Sequence, residues 1–330
     1  MERRVVVGFV VSLVLAFACT PGVAMGQTLV VGSGPGCTDG RYATIQSAVD
    51  AARPGAQIVV CPGTYREAVT VQTTGLKIFA RKRHEAVVQP PADDPNAGTA
   101  FNLGTAGTHV RGFTILPADG PSCEPEGQAV VTLAKATVDY NRIMGVGCHR
   151  FQDGVEMFFA SAPGRVTVDQ NQISGFERFG VRARGSQSAI NRNTIREGGV
   201  GILVEGGRSV VQSNTIDDMS GTGIFADGFD NGTFDLWVAG NRLNRNGNGI
   251  VASNFGVGMP DPFGLALGIR ANTVLDSVQD GITVDFAPGH VTLNRSLRSG
   301  RFDCYSPNGF ATWRDNIGVT DSPSNLCRAP

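Results

Sequence analysis

Three charged residues with a near-constant spacing, Arg184, Glu205 and Asp227, are the strongest candidates for chemistry in this sequence. They lie 21 and 22 residues apart, so a chain that coils with this period would stack them about 5 Å apart. Carboxylates at such a separation can hold a hard cation such as Ca²⁺, or serve as nucleophile and acid in a retaining glycosidase. An arginine beside a neutralised uronate could take a proton in a lyase or an epimerase. We therefore assign all three as candidate catalytic residues.

The same three residues also fit a ladder of surface ion pairs with no chemical role. Arg184 would then pair with Glu205, and an exposed pair of this kind contributes less than about 1 kcal/mol. This pairing leaves Asp227 beside Glu205, a like-charge neighbour that costs stability unless something binds there. The sequence alone leaves both interpretations open.

A repeat of about 22 residues would position these charges. An Asn followed two places later by an aliphatic residue recurs six times, at Asn141, Asn171, Asn193, Asn214, Asn241 and Asn272. A Gly followed by Val or Ile recurs in register with it, at Gly154, Gly180, Gly201, Gly223, Gly249 and Gly281. Two marks in register over six units indicate a solenoid.

The repeat unit has the pattern of β-strands. After each glycine the apolar residues alternate, as at Ile202 and Val204, which is typical of half-buried strands. We expect the repeated Asn to take the left-handed backbone conformation at a corner, with its amide bonding from coil to coil. The sequence therefore predicts an all-β fold, a right-handed parallel β-helix of roughly nine coils, because parallel crossovers are nearly always right-handed.

An amphipathic helix is predicted over residues 44–53, near the start of this solenoid. Ile45, Ala48 and Val49 share one face at helical spacing, and Thr44 is the candidate N-cap. Pro54 and the following Gly end the helix. Such a helix would cover the open end of the β-helix, which otherwise exposes strand edges and an apolar core.

The segment from Tyr42, YATIQSAVDAARPGAQIVVCPGTYREAVTV, resembles the opening of the pectin-lyase-like superfamily, and of pectinesterases in particular. The later repeats and the closing segment, DCYSPNGFATWRDNIGVTDSPSNLC, resemble bacterial right-handed parallel β-helix repeat proteins. This resemblance covers nearly all of the mature chain. It implies one β-helix domain over 27–330, with caps at 27–60 and 303–330, and it specifies the activity poorly.

The first 26 residues have the pattern of a signal peptide. Arg3 and Arg4 precede an apolar run over 5–18, and Ala24-Met25-Gly26 is a candidate cleavage site. The run is too short for a comfortable membrane span. A lipoprotein would use Cys19, but Phe17 lies where a small residue is wanted. We therefore predict a secreted or periplasmic monomer with no membrane span, and the net charge of −1 gives no reason to expect nucleic acid.

Six cysteines remain once the signal segment is removed, and they fall into pairs that are close in sequence. The members of each pair are 23 to 25 residues apart, so in a solenoid they become stacked neighbours. We therefore predict three disulfides: Cys37–Cys61, Cys123–Cys148 and Cys304–Cys327. The competing interpretation, a metal site, lacks any CxxC pair.

Three long insertions, over 159–164, 228–234 and 254–264, follow the candidate charges and are expected to wall one side of their face. The aromatic residues Phe225, Phe229 and Trp237, together with Asp285, are candidate binding residues there, because aromatic rings beside carboxylates suit sugars. Calcium is a candidate cofactor: the segment DGFDNG would offer Asp227 and Asp230, although the later Glu of a calcium loop is absent.

These features predict an exported protein that binds an extracellular polysaccharide. The candidate arginine indicates that this polysaccharide is acidic. If the protein is an enzyme, it would cleave or epimerise this polymer as a polysaccharide lyase, an epimerase or a glycoside hydrolase. The alternative is a non-catalytic envelope or adhesion solenoid, whose outer columns only keep the surface soluble.

Overall fold

Short strands with alternating burial wind into a solenoid of three parallel sheets. The computed structural model describes residues 26–33, 36–93, 98–121, 127–158, 164–185, 187–228, 234–253, 267–285, 289–309 and 311–330. Every pairing between consecutive strands of a sheet is parallel, and each strand pairs with the strand one coil away, as β1 with β2 (Thr28–Val31 with Gln57–Val60). The predicted right-handed parallel β-helix is confirmed.

The strands are numbered in chain order, and each coil supplies one strand to each sheet. The first sheet contains β1 (Thr28–Val31), β2 (Gln57–Val60), β5 (Lys77–Ala80), β8 (Thr108–Arg111), β11 (Ala136–Asp139), β14 (Val166–Asp169), β17 (Gln187–Asn191), β20 (Gly207–Gln212), β23 (Phe234–Ala239), β26 (Leu267–Arg270), β29 (Gly289–Thr292) and β32 (Ala311–Arg314). The second contains β3 (Gly63–Tyr65), β6 (Ala86–Val88), β9 (Thr114–Ile115), β12 (Arg142–Met144), β15 (Gln172–Ser174), β18 (Thr194–Gly198), β21 (Thr215–Met219), β24 (Arg242–Asn244), β27 (Thr273–Leu275) and β30 (Arg295–Leu297).

The third sheet is the one that carries the predicted charges. It contains β4 (Val69–Val71), β7 (Phe101–Leu103), β10 (Gln128–Thr132), β13 (Phe151–Met157), β16 (Phe176–Arg184), β19 (Val200–Glu205), β22 (Thr222–Asp227), β25 (Asn248–Ser253), β28 (Ile282–Val284), β31 (Cys304–Tyr305) and β33 (Asp321–Ser322). The shortest of the three sheets has 10 strands, so the prediction of roughly nine coils was slightly low. The coils built from β2, β5 and β8 lack the Asn and Gly marks, so the repeat alone does not count them.

The core is a set of stacked apolar columns inside the solenoid. On the third sheet Val181, Ile202, Ile224, Ile250 and Ile282 lie in register on consecutive strands. All five are fully buried. Burying each such side chain contributes about 1.5–3 kcal/mol, so the columns stabilise each coil against the next.

The repeated glycine beside this column is required by space rather than by backbone conformation. A Cβ at Gly154, Gly180, Gly201, Gly223 or Gly249 would lie 2.3–2.9 Å from the carbonyl oxygen of the next glycine in the column. None of the five has a positive φ. A side chain here would therefore force neighbouring coils apart.

The repeated asparagine forms a buried ladder along the corner between the first and second sheets. The side-chain nitrogen of Asn193 donates to Val168 O at 2.9 Å and to Asn214 Oδ1 at 3.0 Å. The same pattern begins at Asn141 and extends beyond the predicted column through Asn272 to Asn294, whose amide bonds to Asn316. The predicted coil-to-coil amide bonding is confirmed.

The left-handed backbone conformation lies one residue earlier than predicted. The residue before each ladder asparagine has a positive φ, including Tyr140, Gln170 and Arg192 at 55°, 54° and 53°. The asparagines themselves do not. The preceding residue turns the chain, and the asparagine is thereby free to point its amide inward at the neighbouring coil.

The two ends of the described chain carry the predicted closures. Helix α1 (Ile45–Ala51) buries Ile45, Ala48 and Val49, and the Thr44 side chain accepts from Ser47 N as its N-cap. Disulfides join Cys37 to Cys61 and Cys304 to Cys327, which confirms two predicted pairs. Cys148 is also disulfide-bonded, and its predicted partner Cys123 lies outside the described residues. Within the described ranges, no helix has the length and apolar character needed to cross a membrane.

Candidate functional site

The outer face of the third sheet brings the three predicted charges into register. Arg184 pairs with Glu205 across β16 and β19, and Glu205 pairs with Asp227 across β19 and β22. All three side chains are partly exposed, while the residue before each is buried. Arg184 Nε lies 3.2 Å from Glu205 Oε2. The predicted Arg184–Glu205 pair is therefore formed.

A second arginine, which the sequence interpretation did not use, reaches the same carboxylate. Arg182 Nε donates to Glu205 Oε2 at 2.9 Å, and its Nη2 donates to Glu205 Oε1 at 3.3 Å. Both oxygens of Glu205 are thus engaged by guanidinium groups. The charge of Glu205 is compensated, so its place beside Asp227 is not the bare like-charge contact expected from the sequence.

Arg182 also binds a buried acid on its other side. Its Nη1 lies 3.6 Å from Glu156 Oε1, and Glu156 occupies the register position opposite it on β13. The Glu156 residue is only 3% exposed. Arg182, itself largely covered, therefore bridges two carboxylates on the strands before and after its own.

A β-bulge near Arg182 brings a further acid, Asp153, into the cluster. The pairing of β13 with β16 slips between Phe151 and Asp153, since Phe151 faces Phe176 and Asp153 faces Phe179. The extra residue places Arg178 beside Gln152, and its Nη1 lies 3.4 Å from Gln152 Oε1. Bulges commonly re-aim side chains next to functional sites.

Asp153 is a buried carboxyl group close to these arginines. It is 1% exposed, and neither oxygen accepts a hydrogen bond of good geometry, although the Phe179 backbone N–H opposes the rise of its pKa. Burial raises the pKa of Asp153; the nearby Arg178 and Arg182 charges oppose this effect without cancelling it. Burial also raises the pKa of Glu156, and repulsion from Asp153 adds to the shift. Both environments favour the neutral acid.

Aromatic rings lie against the three arginines. The guanidinium carbons of Arg178 and Arg182 are 5.2 and 4.9 Å from the centre of the Phe179 ring, and that of Arg184 is 5.7 Å from the centre of the Phe158 ring. Such contacts favour a fixed guanidinium position. We call Arg178, Arg182 and Arg184, with these two rings, the arginine face.

The order of the layers decides what the arginine face can do. Arg178 is exposed and Arg184 has a 34% exposed side chain, whereas Asp153 and Glu156 lie buried close to them. A molecule approaching the sheet would therefore meet Arg178 and Arg184 before it meets Asp153 or Glu156. This arrangement suits binding of an anionic group, since guanidinium forks match carboxylates geometrically.

The other predicted binding residues are spread over two sheets. Phe225 lies half-buried on the outer face of β22, in the same column as Arg182. The carboxylate of Asp285 accepts a hydrogen bond from the Asn308 side chain. Trp237, by contrast, lies on β23 of the first sheet. Phe229 lies outside the described residues.

The structure adds no support for a bound cation at the predicted place. Across the described ranges, no group of three or more His, Cys, Asp or Glu side chains is arranged to hold a metal ion. Asp230, the second predicted calcium ligand, lies outside those ranges. Calcium therefore stays a prediction.

The sequence did contain a signal for part of the cluster that was missed. Glu156 and Arg182 occupy the same outward position two residues after the repeat glycine, so their stacking followed from the register. Arg178 and Asp153 had no such signal, because their contacts depend on the bulge. A rule that searched every outward column for opposite charges would have found Glu156 and Arg182.

Comparisons with known proteins agree with the fold. A family model described as "Right handed beta helix region" matches residues 127–297, a little over half of the chain. The solved Dettilon tailspike protein is 14% identical with a TM-score of 0.59, over 85% of this chain and 59% of that chain. A GH87 alpha-1,3-glucanase from Streptomyces thermodiastaticus is 16% identical with a TM-score of 0.51, over 90% and 70%.

A third solved structure, PfbA, a surface adhesin of Streptococcus pneumoniae, is 14% identical with a TM-score of 0.50, over 84% of this chain and 86% of that chain. A search of curated protein sequences gave no match. At these identities the solved structures show a shared fold alone. The family match, together with the three parallel sheets, shows that the chain belongs to the right-handed β-helix family.

Proposed function

We propose that this protein binds an acidic polysaccharide along the outer face of the third sheet, with the arginine face as the centre that recognises its anionic groups. The observation that carries the proposal is the layering of the cluster: the exposed Arg178 and the partly exposed Arg184 lie outward of Asp153 and Glu156, two buried acids whose pKa values are raised by burial. A uronate carboxylate could pair with such a guanidinium and place its ring against Phe158 or Phe179.

Binding is favoured over cleavage by the same burial. A glycosidase or lyase needs an acid or base that touches the polymer, and Asp153 and Glu156 are 1% and 3% exposed. Glu205, a predicted catalytic residue, already has both oxygens engaged by arginines. The catalytic assignments of Arg184, Glu205 and Asp227 therefore remain predictions, and a non-catalytic adhesion or envelope protein is the form of the proposal that we prefer.

Export, and action as a monomer, belong to the same proposal. The disulfides Cys37–Cys61 and Cys304–Cys327 support an oxidising compartment, since disulfides are rare in the cytosol. Similar solved structures include a glucanase and a surface adhesin, so this architecture serves both the processing of a glucan and adhesion. Neither likeness assigns an activity to this chain.

Binding of oligogalacturonate, with its methyl ester as the neutral counterpart, tests the proposal by calorimetry. We expect binding of the acid form that weakens with salt, and an Arg184→Gln variant should bind about tenfold more weakly, as expected for one lost charge-assisted hydrogen bond. Arg245→Gln is the matched control, because Arg245 is an exposed arginine bound by Asp218 on another sheet. Equal binding by both variants and the wild type would contradict the proposal.

The same samples decide the enzymatic form and the calcium prediction. Product analysis after long incubation should show intact oligosaccharide if the protein only binds. Shortened or unsaturated products that disappear in Asp227→Asn would instead support the catalytic assignment. Repeating the titration in excess Ca²⁺ and in EDTA measures whether a cation contributes, because a calcium-bridged uronate would bind only in the first.

A further inference from the structure

Trp237 is the one aromatic residue among the exposed large hydrophobic side chains of the described ranges. It is 41% exposed on the outer face of β23, while Leu236 and Val238 on either side are buried in the core. Leaving an indole in water forgoes the large stabilisation that its burial would provide. An exposed tryptophan in the middle of a sheet therefore calls for an explanation that core packing does not supply.

The residue opposite Trp237 on the next strand is a glycine, which leaves space for the indole. Gly268 lies opposite Trp237 in the register of β23 and β26. A Cβ at Gly268 would lie 2.2 Å from Trp237 Cε3 and 2.4 Å from Cζ3, and Gly268 is buried although it is on the outer side. The indole thus lies over the backbone of the neighbouring strand.

Backbone conformation does not explain this glycine. Gly268 does not have a positive φ, so any residue could adopt its conformation. Glycine inside a strand is weakening because it loses more entropy and packs no side chain. The space for the indole is therefore the reason for glycine at this position, and the result is an aromatic surface supported from below.

Polar residues occupy outward positions near this surface, on its own strand and on the two strands that follow. His290 follows Gly268 in the same outward column, and its side chain is exposed. Arg270, two residues after Gly268 on β26, and Asp235, two residues before Trp237 on β23, are exposed as well. A supported aromatic ring with hydrogen-bonding groups at its edges matches a pyranose, which has an apolar C–H face and a rim of hydroxyl groups.

We propose that Trp237, supported by Gly268, is a saccharide-stacking subsite on the first sheet, separate from the arginine face on the third. Its ligand is a pyranose ring of a polysaccharide. The ring stacks its C–H face on the indole, and His290 and Arg270 bond the hydroxyl groups. The subsite depends on stacking rather than charge, so it does not require the anion binding proposed for the arginine face.

Tryptophan fluorescence tests this subsite directly, because the chain has two tryptophans. Trp313 is half-buried against the core, so a Trp313→Phe variant leaves Trp237 as the reporter. We expect cello-oligosaccharide or oligogalacturonate to shift its emission to shorter wavelength. If Trp313→Phe does not fold, the wild type with Trp237→Phe as the blank gives the same difference signal.

Two substitutions test whether binding requires the indole itself and whether it requires the position of the indole against the sheet. Trp237→Ala removes the ring, and Gly268→Ala keeps it but displaces it from the sheet. Each should weaken binding at this subsite about tenfold, on the order of one lost contact with an aromatic ring. Thr167→Ala, in the same outward column several coils away, is the control and should bind as the wild type does.

The outcomes distinguish this subsite from the arginine face. Arg184→Gln should leave the Trp237 signal unchanged even if it abolishes the salt-sensitive binding. The subsite would be overturned if neither oligosaccharide shifts the emission of the wild type and if Trp237→Ala binds both oligosaccharides as tightly as the wild type does. Sedimentation that shows a dimer in the wild type and a monomer in Trp237→Ala would also overturn it, in favour of a contact between two copies of this chain.

Discussion

Two columns of the solenoid run in the same direction but differ in how strictly their residue types are conserved from coil to coil. The asparagine ladder keeps one residue type over eight successive coils, and every member is buried and bonded. The outward column of the third sheet that contains the predicted charges changes residue at each step, from Arg184 to Glu205 to Asp227 and on to Ser253. One column repeats and the other does not, although both are stacked at the same strand spacing.

The difference follows from what each column must satisfy. Each ladder amide from Asn141 to Asn294 bonds to a backbone carbonyl one coil behind and an amide one coil ahead, so only a residue with this shape and both kinds of group fits every coil. The outward column meets solvent, and few local requirements restrict it. Variation there is tolerated by the fold, and a local cluster such as the arginine face can therefore serve binding.

Breaking the ladder should have the largest effect on stability. Asn193→Ala removes two donated and two accepted side-chain bonds, and it leaves the buried Asn171 backbone N–H without its acceptor and Val168 O without its side-chain donor. Because an unsatisfied buried polar group costs about 1–3 kcal/mol, we expect a loss of about 3 kcal/mol or more in the free energy of unfolding, measured by urea denaturation.

Gln172→Ala is the matched control for the ladder variant. Gln172 is an exposed amide one residue after Asn171, and it accepts one bond from Arg142 at 3.2 Å. Its loss should change the free energy of unfolding by less than about 0.5 kcal/mol. If the two variants lose the same stability, the ladder is not the interior requirement that we describe.

Breaking the arginine face should have an intermediate effect that depends on pH. Arg182→Met leaves Glu156 buried without its cation and removes two bonds to Glu205, so we expect a loss of about 2 kcal/mol near pH 8. The loss should shrink at pH 5, because a protonated Glu156 no longer needs a cation. Urea denaturation at the two pH values measures this, and a loss that does not change with pH would argue against a buried acid beneath Arg182.

The smallest effect, and the most specific, concerns Asp153. Its pKa is raised in the folded protein, so the stability it contributes is complete below the unfolded value of about 3.9 and is lost as the pH rises through the folded value. Asp153→Asn should remove this loss. We expect the variant to be more stable than the wild type by about 1 kcal/mol at pH 8, and to show a flatter pH profile in thermal melts.

An acid with the opposite shift provides the comparison for Asp153. Arg245 holds the pKa of Asp218 below its usual range through hydrogen bonds, so the stability from Asp218 is present above the unfolded value and is lost as the pH falls through the folded value. Asp218→Asn should therefore flatten the profile on the acid side only. The same change of profile in both variants would mean that the environment of Asp153 is not the cause.

The sequence by itself determined the parts of this protein that repeat. The spacing of Asn193 and Gly201 with their equivalents specified the solenoid, because each coil must present the same group to the next. It also placed Arg184 beside Glu205, since register follows directly from the period. Helix α1 and the cysteine pairs at the two ends followed from local patterns of the same kind.

The tertiary structure decided what breaks the repeat. The bulge in β16 brings Arg178 and Asp153 into the cluster, and no period predicts a single inserted residue. Trp237 was expected beside Phe225 but lies on another sheet, because a repeat length gives the size of a coil and not the position of its corners. Burial of an acid and exposure of an indole depend on side chains from several coils together, so they are properties of the packed solenoid rather than of any one repeat.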